Sequence, residues 1–234
     1  MQIALVVFAA ALAQGILGFG GALIAMPLLT TLVGIQTATP AFALVSTLAT
    51  LLNAIRWRAH TTPRDLVQLV VPAIVGIPIG VLALARVDEA VVTRSLGVIL
   101  VVYAVYSLLG RALPPLRSRA WAYAAGFSSG VLSGAFNTGG PPVIVFANAR
   151  GWSAEQFRAN LQTYFLPTTL FLVASHALTG HYTPLALHTA LIAIPALVVG
   201  QSIGARLCRY INPDLFRRLV LVFLLLLGGQ LLFF

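Results

Sequence analysis

Gly15-Ile16-Leu17-Gly18-Phe19-Gly20-Gly21-Ala22, with Pro27 after it, interrupts an uncharged apolar run over residues 1–35. Gly130-Val131-Leu132-Ser133-Gly134-Ala135-Phe136-Asn137-Thr138-Gly139-Gly140-Pro141-Pro142 interrupts a second long run, over residues 120–149. As one straight helix, residues 1–35 would extend about 50 Å, against about 30 Å of bilayer hydrocarbon. The break at Gly18–Gly21 divides that run into two arms too short to span alone. Irregular backbone at membrane depth survives only where protein or a cavity satisfies it. Paired breaks at corresponding places in two halves are the usual sequence pointer to a ligand site within the membrane.

With 59% hydrophobic and 8% charged residues and a mean hydropathy of +0.97, the chain reads as an integral membrane protein. Its 234 residues suit roughly eight membrane segments, with no soluble domain expected. The 14 cationic side chains are all arginine, against five acids, for a net charge of +9. They lie in short connectors between apolar runs, a pattern of topology signalling rather than of nucleic-acid binding. The single cysteine, Cys208, excludes an internal disulfide and any multi-cysteine metal site. Ala11-Leu12-Ala13 resembles a signal cleavage site, but no basic region precedes it and the apolar run continues. The segment is therefore read as the first membrane element.

The chain divides into two repeats, residues 1–112 and 113–234. The first comprises a broken element over 1–35 and spans over about 39–55, 66–85 and 95–110. The second comprises a broken element over 120–149 and spans over about 159–178, 184–207 and 216–234. His60-Thr61-Thr62-Pro63 pairs with His181-Tyr182-Thr183-Pro184, Pro72-Ala73 with Pro195-Ala196, and Gly76/Gly80 with Gly200/Gly204. Duplication is the simplest account.

Arginine distribution discriminates two topologies. If both broken elements cross the membrane, the two faces carry eight and six arginines. If both are re-entrant, one face collects Arg56, Arg58, Arg64, Arg111, Arg117, Arg119, Arg150, Arg158, Arg206, Arg209, Arg217 and Arg218. The other keeps only Arg86 and Arg94, beside Asp88 and Glu89. That second split is what the positive-inside rule expects. The fold expected is thus an all-α integral membrane protein of two inverted repeats. Each repeat is a broken, re-entrant helical hairpin plus three transmembrane helices, and both termini are extracytoplasmic.

All five acids, Asp65, Asp88, Glu89, Glu155 and Asp214, fall in connectors, which argues against a cation substrate. Of the histidines, His60 and His181 belong to the repeated loop motif, while His176 and His188 lie near helix ends and read as interfacial. No grouping supplies a nucleophile with a base, or a metal cluster, so neither an enzyme nor a cofactor is expected. The glycine breaks suit an anion instead. The second arm of each begins with free N–H groups and the positive end of a helix dipole. Candidate binding residues are Gly18, Gly20 and Gly21 in the first copy and Asn137, Thr138, Gly139 and Gly140 in the second. Pro141 and Pro142 suit the first turn of that arm. Ser46 and Thr47, and Asn160, Gln162 and Thr163, are polar positions on the spans following each break.

Gly18-Phe19-Gly20-Gly21 with Met26-Pro27-Leu28, together with Gly134 through Pro142, resembles the duplicated motifs of the TauE/SafE-type sulfite exporter family (TSUP). The likeness extends over essentially the whole chain. It implies a carrier in the inner membrane of a bacterium or archaeon for sulfite, sulfoacetate or a related anion. The chain departs from the more glycine-rich family form at Ala22 and at Asn137-Thr138. The expectation is a secondary transporter of a small sulfur oxyanion or sulfonate, bound between the two glycine-rich hairpin tips at mid-membrane, with access alternating by rocking of one half against the other. An anion channel and a carrier of a non-sulfur organic acid are the alternatives. The partners expected are the anion and the bilayer, with no nucleic acid, in a monomer or homodimer.

Overall fold

The computed structural model describes residues 1–56, 61, 63–110 and 118–233. His60, Arg58, Arg111, Pro114, Pro115 and Arg117 lie outside the described residues, as do the side chains of Arg56 and Arg64. Among the described residues every element is helical. These are α1 (Gln2–Leu17), α2 (Gly21–Val33), α3 (Ile35–Arg56), α4 (Pro63–Arg86) and α5 (Glu89–Leu109), then α6 (Arg119–Phe136), α7 (Gly140–Arg150), α8 (Ala154–Leu178), α9 (Pro184–Leu207) and α10 (Pro213–Leu232).

Both long apolar runs are broken where the glycines stand, but the arms are unequal, 16 and 13 residues in the first and 18 and 11 in the second. Several helices begin earlier than the sequence pattern predicts because charged residues occupy their first turns. Asp65, Glu89, Glu155 and Asp214 all lie there, and Asp88 caps α5 by accepting the Ala90 N–H at 2.9 Å. The acids thus belong to helix N-termini rather than to connectors, each placed to complement a helix dipole.

Five described helices, α3, α4, α5, α9 and α10, are long and apolar enough to cross a membrane. α8, with 25 residues, matches them in length but carries Asn160, Gln162, Thr168, Thr169 and Ser175. Its polar residues turn inward: Asn160 is fully buried, and Gln162, Thr168 and Thr169 are nearly so. The apolar residues of α4 sort into two faces. Leu69, Ala73, Ile77 and Val81 are buried, whereas Val67, Val71, Val75, Ile79 and Leu82 form an exposed stripe. Val91, Val98, Val102 and Leu109 do the same on α5. Apolar stripes on this scale have lipid as their solvent.

The chain folds into two compact units that do not coincide with its sequential halves. The first contains α1, α2, the beginning of α3 through Val45, α5, α9 and α10. The second contains the rest of α3 from Ser46, with α4, α6, α7 and α8. In the second unit α4 and α6 pack side by side and parallel. Gly126 faces Leu69, Gly130 faces Ala73, and Gly134 faces Ile77 and Gly80. The same arrangement holds α1 to α9 within the first unit, where Gly200 faces Phe8 and Leu12, and Gly204 faces Leu12 and Gly15. Glycines four residues apart put two backbones in van der Waals contact, the device by which helices associate in lipid.

At the end of α8, His176 is fully buried rather than interfacial. Its Nδ1 lies 3.0 Å from Nδ1 of His181, and the Thr179 hydroxyl lies 3.2 Å from that same His181 nitrogen. Burial holds the His181 imidazole below its ordinary pKa. The folded state therefore resists a proton that the unfolded chain accepts below about pH 6.5. Stability present above that pH is lost as acidity increases. The expected result is that thermal stability falls between pH 7.5 and pH 5.5, and falls less in His181→Asn. Equal pH slopes in the two proteins would contradict this.

Candidate anion site at the helix breaks

The second break arises from three local choices. Asn137 ends α6 with φ +53°, the left-handed conformation, and no other described non-glycine residue has a positive φ. Asparagine tolerates that region better than other side chains. The Asn137 N–H donates to Ser133 O at 2.8 Å and the Thr138 N–H to Leu132 O at 3.3 Å, closing the end of α6. Gly139 then caps α7, with Ser129 and Ser133 of α6 directly against it.

α7 returns along α6. Gly139, ten residues after Ser129, accepts a hydrogen bond from the Ser129 hydroxyl through its carbonyl. At the far end of α7, Arg150 pairs with Asp65 at 3.3 Å, and Trp152 Nε1 donates to the same carboxylate at 3.3 Å. Asp65 stands in the first turn of α4, which runs parallel to α6. The start of α6 and the end of α7 therefore lie at the same end of α4, and the chain reverses at Asn137–Gly139.

A buried relay supports the tip. Tyr164 of α8, fully buried, donates from its hydroxyl to Ser129 Oγ at 2.7 Å, and Ser129 donates onward to Gly139 O. This fixes the orientation of the peptide that opens α7. Sequence reasoning missed both residues. The signal was present in the spacing of four between Ser129 and Ser133, which marks a polar face on α6 distinct from the Gly126/Gly130/Gly134 face.

The donors at the tip are fewer than a free helix start provides. α7 opens Gly140-Pro141-Pro142, so only Gly140 among its first three residues carries an N–H. Proline fits this turn sterically but removes two of the donors expected for an anion. The helix dipole remains, with two side chains: Asn137, whose Nδ2 lies 3.4 Å from Ser46 Oγ, and Thr138. Thr138 is 1% exposed, and its Oγ1 has no hydrogen-bond partner among the described residues. A buried hydroxyl left unpaired costs about 1–3 kcal/mol, and such groups call for an explanation.

Of the other candidates on this unit, Asn160 lies one helical turn before Tyr164 on the same face of α8. Gln162 lies two residues on, which places it on a different face. Thr163 donates to Ala159 O at 2.9 Å, within its own helix. Thr47 follows Ser46 and is half-buried.

Gly18, Gly20 and Gly21 belong to the first unit. Gly18 (φ +82°) and Gly20 (φ +89°) both adopt the left-handed conformation, so glycine is required there by the backbone. Gly21 opens α2 beside the Gln14 side chain. α2 begins Gly21-Ala22-Leu23, so each of its first three residues carries an N–H. Hence the two tips differ in chemistry, with backbone donors dominating the first and side chains the second.

The family model for the sulfite exporter TauE/SafE matches residues 3–231. No curated protein and no solved structure shows a significant match. Ten helices among the described residues, two glycine-marked breaks, apolar stripes facing lipid, and a match over nearly the full length lead to one assignment: the chain belongs to the TauE/SafE sulfite exporter family, whose members are multi-pass membrane transporters.

Proposed function

We propose that this protein is a secondary transporter of a small sulfur oxyanion or sulfonate, such as sulfite or sulfoacetate. In the second unit the anion is held at Asn137, Thr138, Gly139 and Gly140, with Ser46 against Asn137. Asn160, on the Tyr164 face of α8, and Thr47, next to Ser46, line the approach. Gly18, Gly20 and Gly21 form the corresponding tip within the first unit, where backbone N–H groups take the place of side chains. The observation that carries the reading is the buried Thr138 hydroxyl, unpaired among the described residues, beside the N-terminus of α7. A threonine hydroxyl can donate to an oxyanion, and the helix dipole favours negative charge at that point.

Both broken elements are proposed as re-entrant, with three spans in each half and both termini extracytoplasmic. An alkaline phosphatase fusion after α10 should then be active, and an inactive fusion there would exclude that topology.

Thr138→Val tests the anion site directly. It preserves shape and removes only the hydroxyl. Sulfite and sulfoacetate should raise the thermal midpoint of the wild type above that in matched chloride. In Thr138→Val the affinity should fall by roughly tenfold or more, since a hydrogen bond to a charged group contributes about 1.5–3 kcal/mol. The midpoint without sulfur anions should not fall, because no folded-state partner is lost. Undiminished anion stabilisation in the variant would remove Thr138 from the site.

A further inference from the structure

A cavity lies within the first unit, at the junction of α2 and α3. It has a volume of about 250 Å³ and is lined by Thr30, Thr31, Glu89, Ala90, Thr93 and Leu231. Its chemistry is opposite to that of the anion tips. The last turn of α2 ends there with no basic side chain to offset the negative end of the helix dipole. Glu89 brings a carboxylate, one oxygen of which accepts the Ile35 N–H at 2.8 Å. Thr30 is 7% exposed, and its Oγ1 has no hydrogen-bond partner among the described residues. Asp88 caps α5 through the Ala90 N–H and is not among the lining residues.

We propose that this pocket binds a monovalent cation through Glu89 and the threonine oxygens. Hard oxygen donors suit alkali ions, and a single carboxylate is too little charge for the usual divalent site. The volume leaves space for retained water around a small ion. The site also has a mechanical connection. The carboxylate that faces the cavity holds Ile35, and a methyl group on Gly34 would stand 2.7 Å from Glu89 Oε1. Cation occupancy thus orders the junction between the returning arm of the first broken element and α3.

The test uses purified full-length protein in detergent, without sulfur anions, so its outcome is independent of the anion site. Chloride and ionic strength are held constant with N-methyl-D-glucamine chloride while sodium, potassium or methylammonium chloride is titrated in. The thermal midpoint should rise saturably with at least one of these, by roughly 5 °C at a hundredfold excess over Kd. The shift should vanish in Glu89→Gln, whose amide oxygen still accepts the Ile35 N–H, and shrink at least fivefold in Thr30→Val. Thr30→Ser should retain it. If Glu89→Gln does not fold, the Thr30 pair decides the outcome. A midpoint unchanged across all three salts overturns the proposal. So does a shift of equal size in Thr30→Val, or a larger response to magnesium or calcium than to any monovalent ion.

Discussion

Gly139→Ala is expected to abolish anion transport, while Gly140→Ala, one residue later, leaves the rate within about threefold of wild type. Backbone strain is not the cause, because Gly139 has φ −69°. A methyl group there would collide with Ser133 Oγ and lie 2.6 Å from Ser129 O. Ser129 O belongs to the backbone of α6 and cannot step aside, so the start of α7 must move. That movement breaks the Ser129 bond to the Gly139 carbonyl and displaces Thr138 with it. A shift of about 1 Å at a site of this kind costs about a hundredfold in rate. At Gly140 the added methyl meets only Ile144 Cδ1, at an ordinary 3.6 Å. Proteoliposome flux, normalised to reconstituted protein, separates the two variants. Wild-type flux from Gly139→Ala would show that the tip is not where the anion is handled.

The second large effect concerns the helix pair that carries the tip. Gly80→Ala and Gly134→Ala should each lower the thermal midpoint by several degrees or more and reduce the yield of folded protein. A methyl on Gly80 would lie 2.7 Å from Ala135 N and 2.9 Å from Gly134 Cα, and would also press on Val131 O. All three are main-chain atoms, so relief requires α4 and α6 to part along their length. Overpacking of this severity costs about 1–3 kcal/mol or more, against about 5–15 kcal/mol for a typical fold. Gly229→Ala is the control, since nothing lies within 4 Å of its added methyl. There the gain in helix propensity, up to about 1 kcal/mol, should leave stability equal or slightly higher. The yield of monodisperse protein and the thermal midpoint read the contrast. Normal yields of Gly80→Ala would contradict the packing described for α4 and α6.

Much of this architecture was legible because lipid imposes strict rules on a chain. Gly18–Gly21 and Asn137–Gly140 stood out as irregular backbone inside apolar runs, and both are helix breaks. α9 occupies the apolar run expected over about 184–207, with Thr183 capping it and Pro184 at its first position. Elsewhere the ends were read too short. Charged residues such as Asp65 and Glu89 were treated as connector when they occupy first helical turns. The grouping of helices was not legible. Gly76/Gly80 and Gly200/Gly204 are visible as a repeated pattern, but nothing local says that Gly80 meets Gly134 or that Gly204 meets Gly15. Asn137, Thr138 and Gly139 stand out in the sequence as the turn between α6 and α7, whereas Ser129 and Tyr164, which support that turn, do not. A serine in a small-residue helix and a tyrosine in a span look ordinary until their side chains are brought together across 35 residues. The His176–His181 pair escaped for the same reason, because burial of His176 depends on neighbours rather than on its place near a helix end.

The interleaving of the two units imposes an order on biosynthesis. Every helix of the second unit has been translated by the end of α8, so that unit can close while the rest of the chain is still being made. α1 is translated long before α9, yet the glycines it packs against, Gly200 and Gly204, lie near the end of α9. At about 5–20 residues per second, α1 waits roughly 10–40 s in the membrane for its partner. During that interval its Leu12–Gly15 surface is open to lipid and to other nascent helices. α1 is therefore made well before the surface that buries it, and a nascent chain that ends before α9 leaves the Leu12–Gly15 surface uncovered.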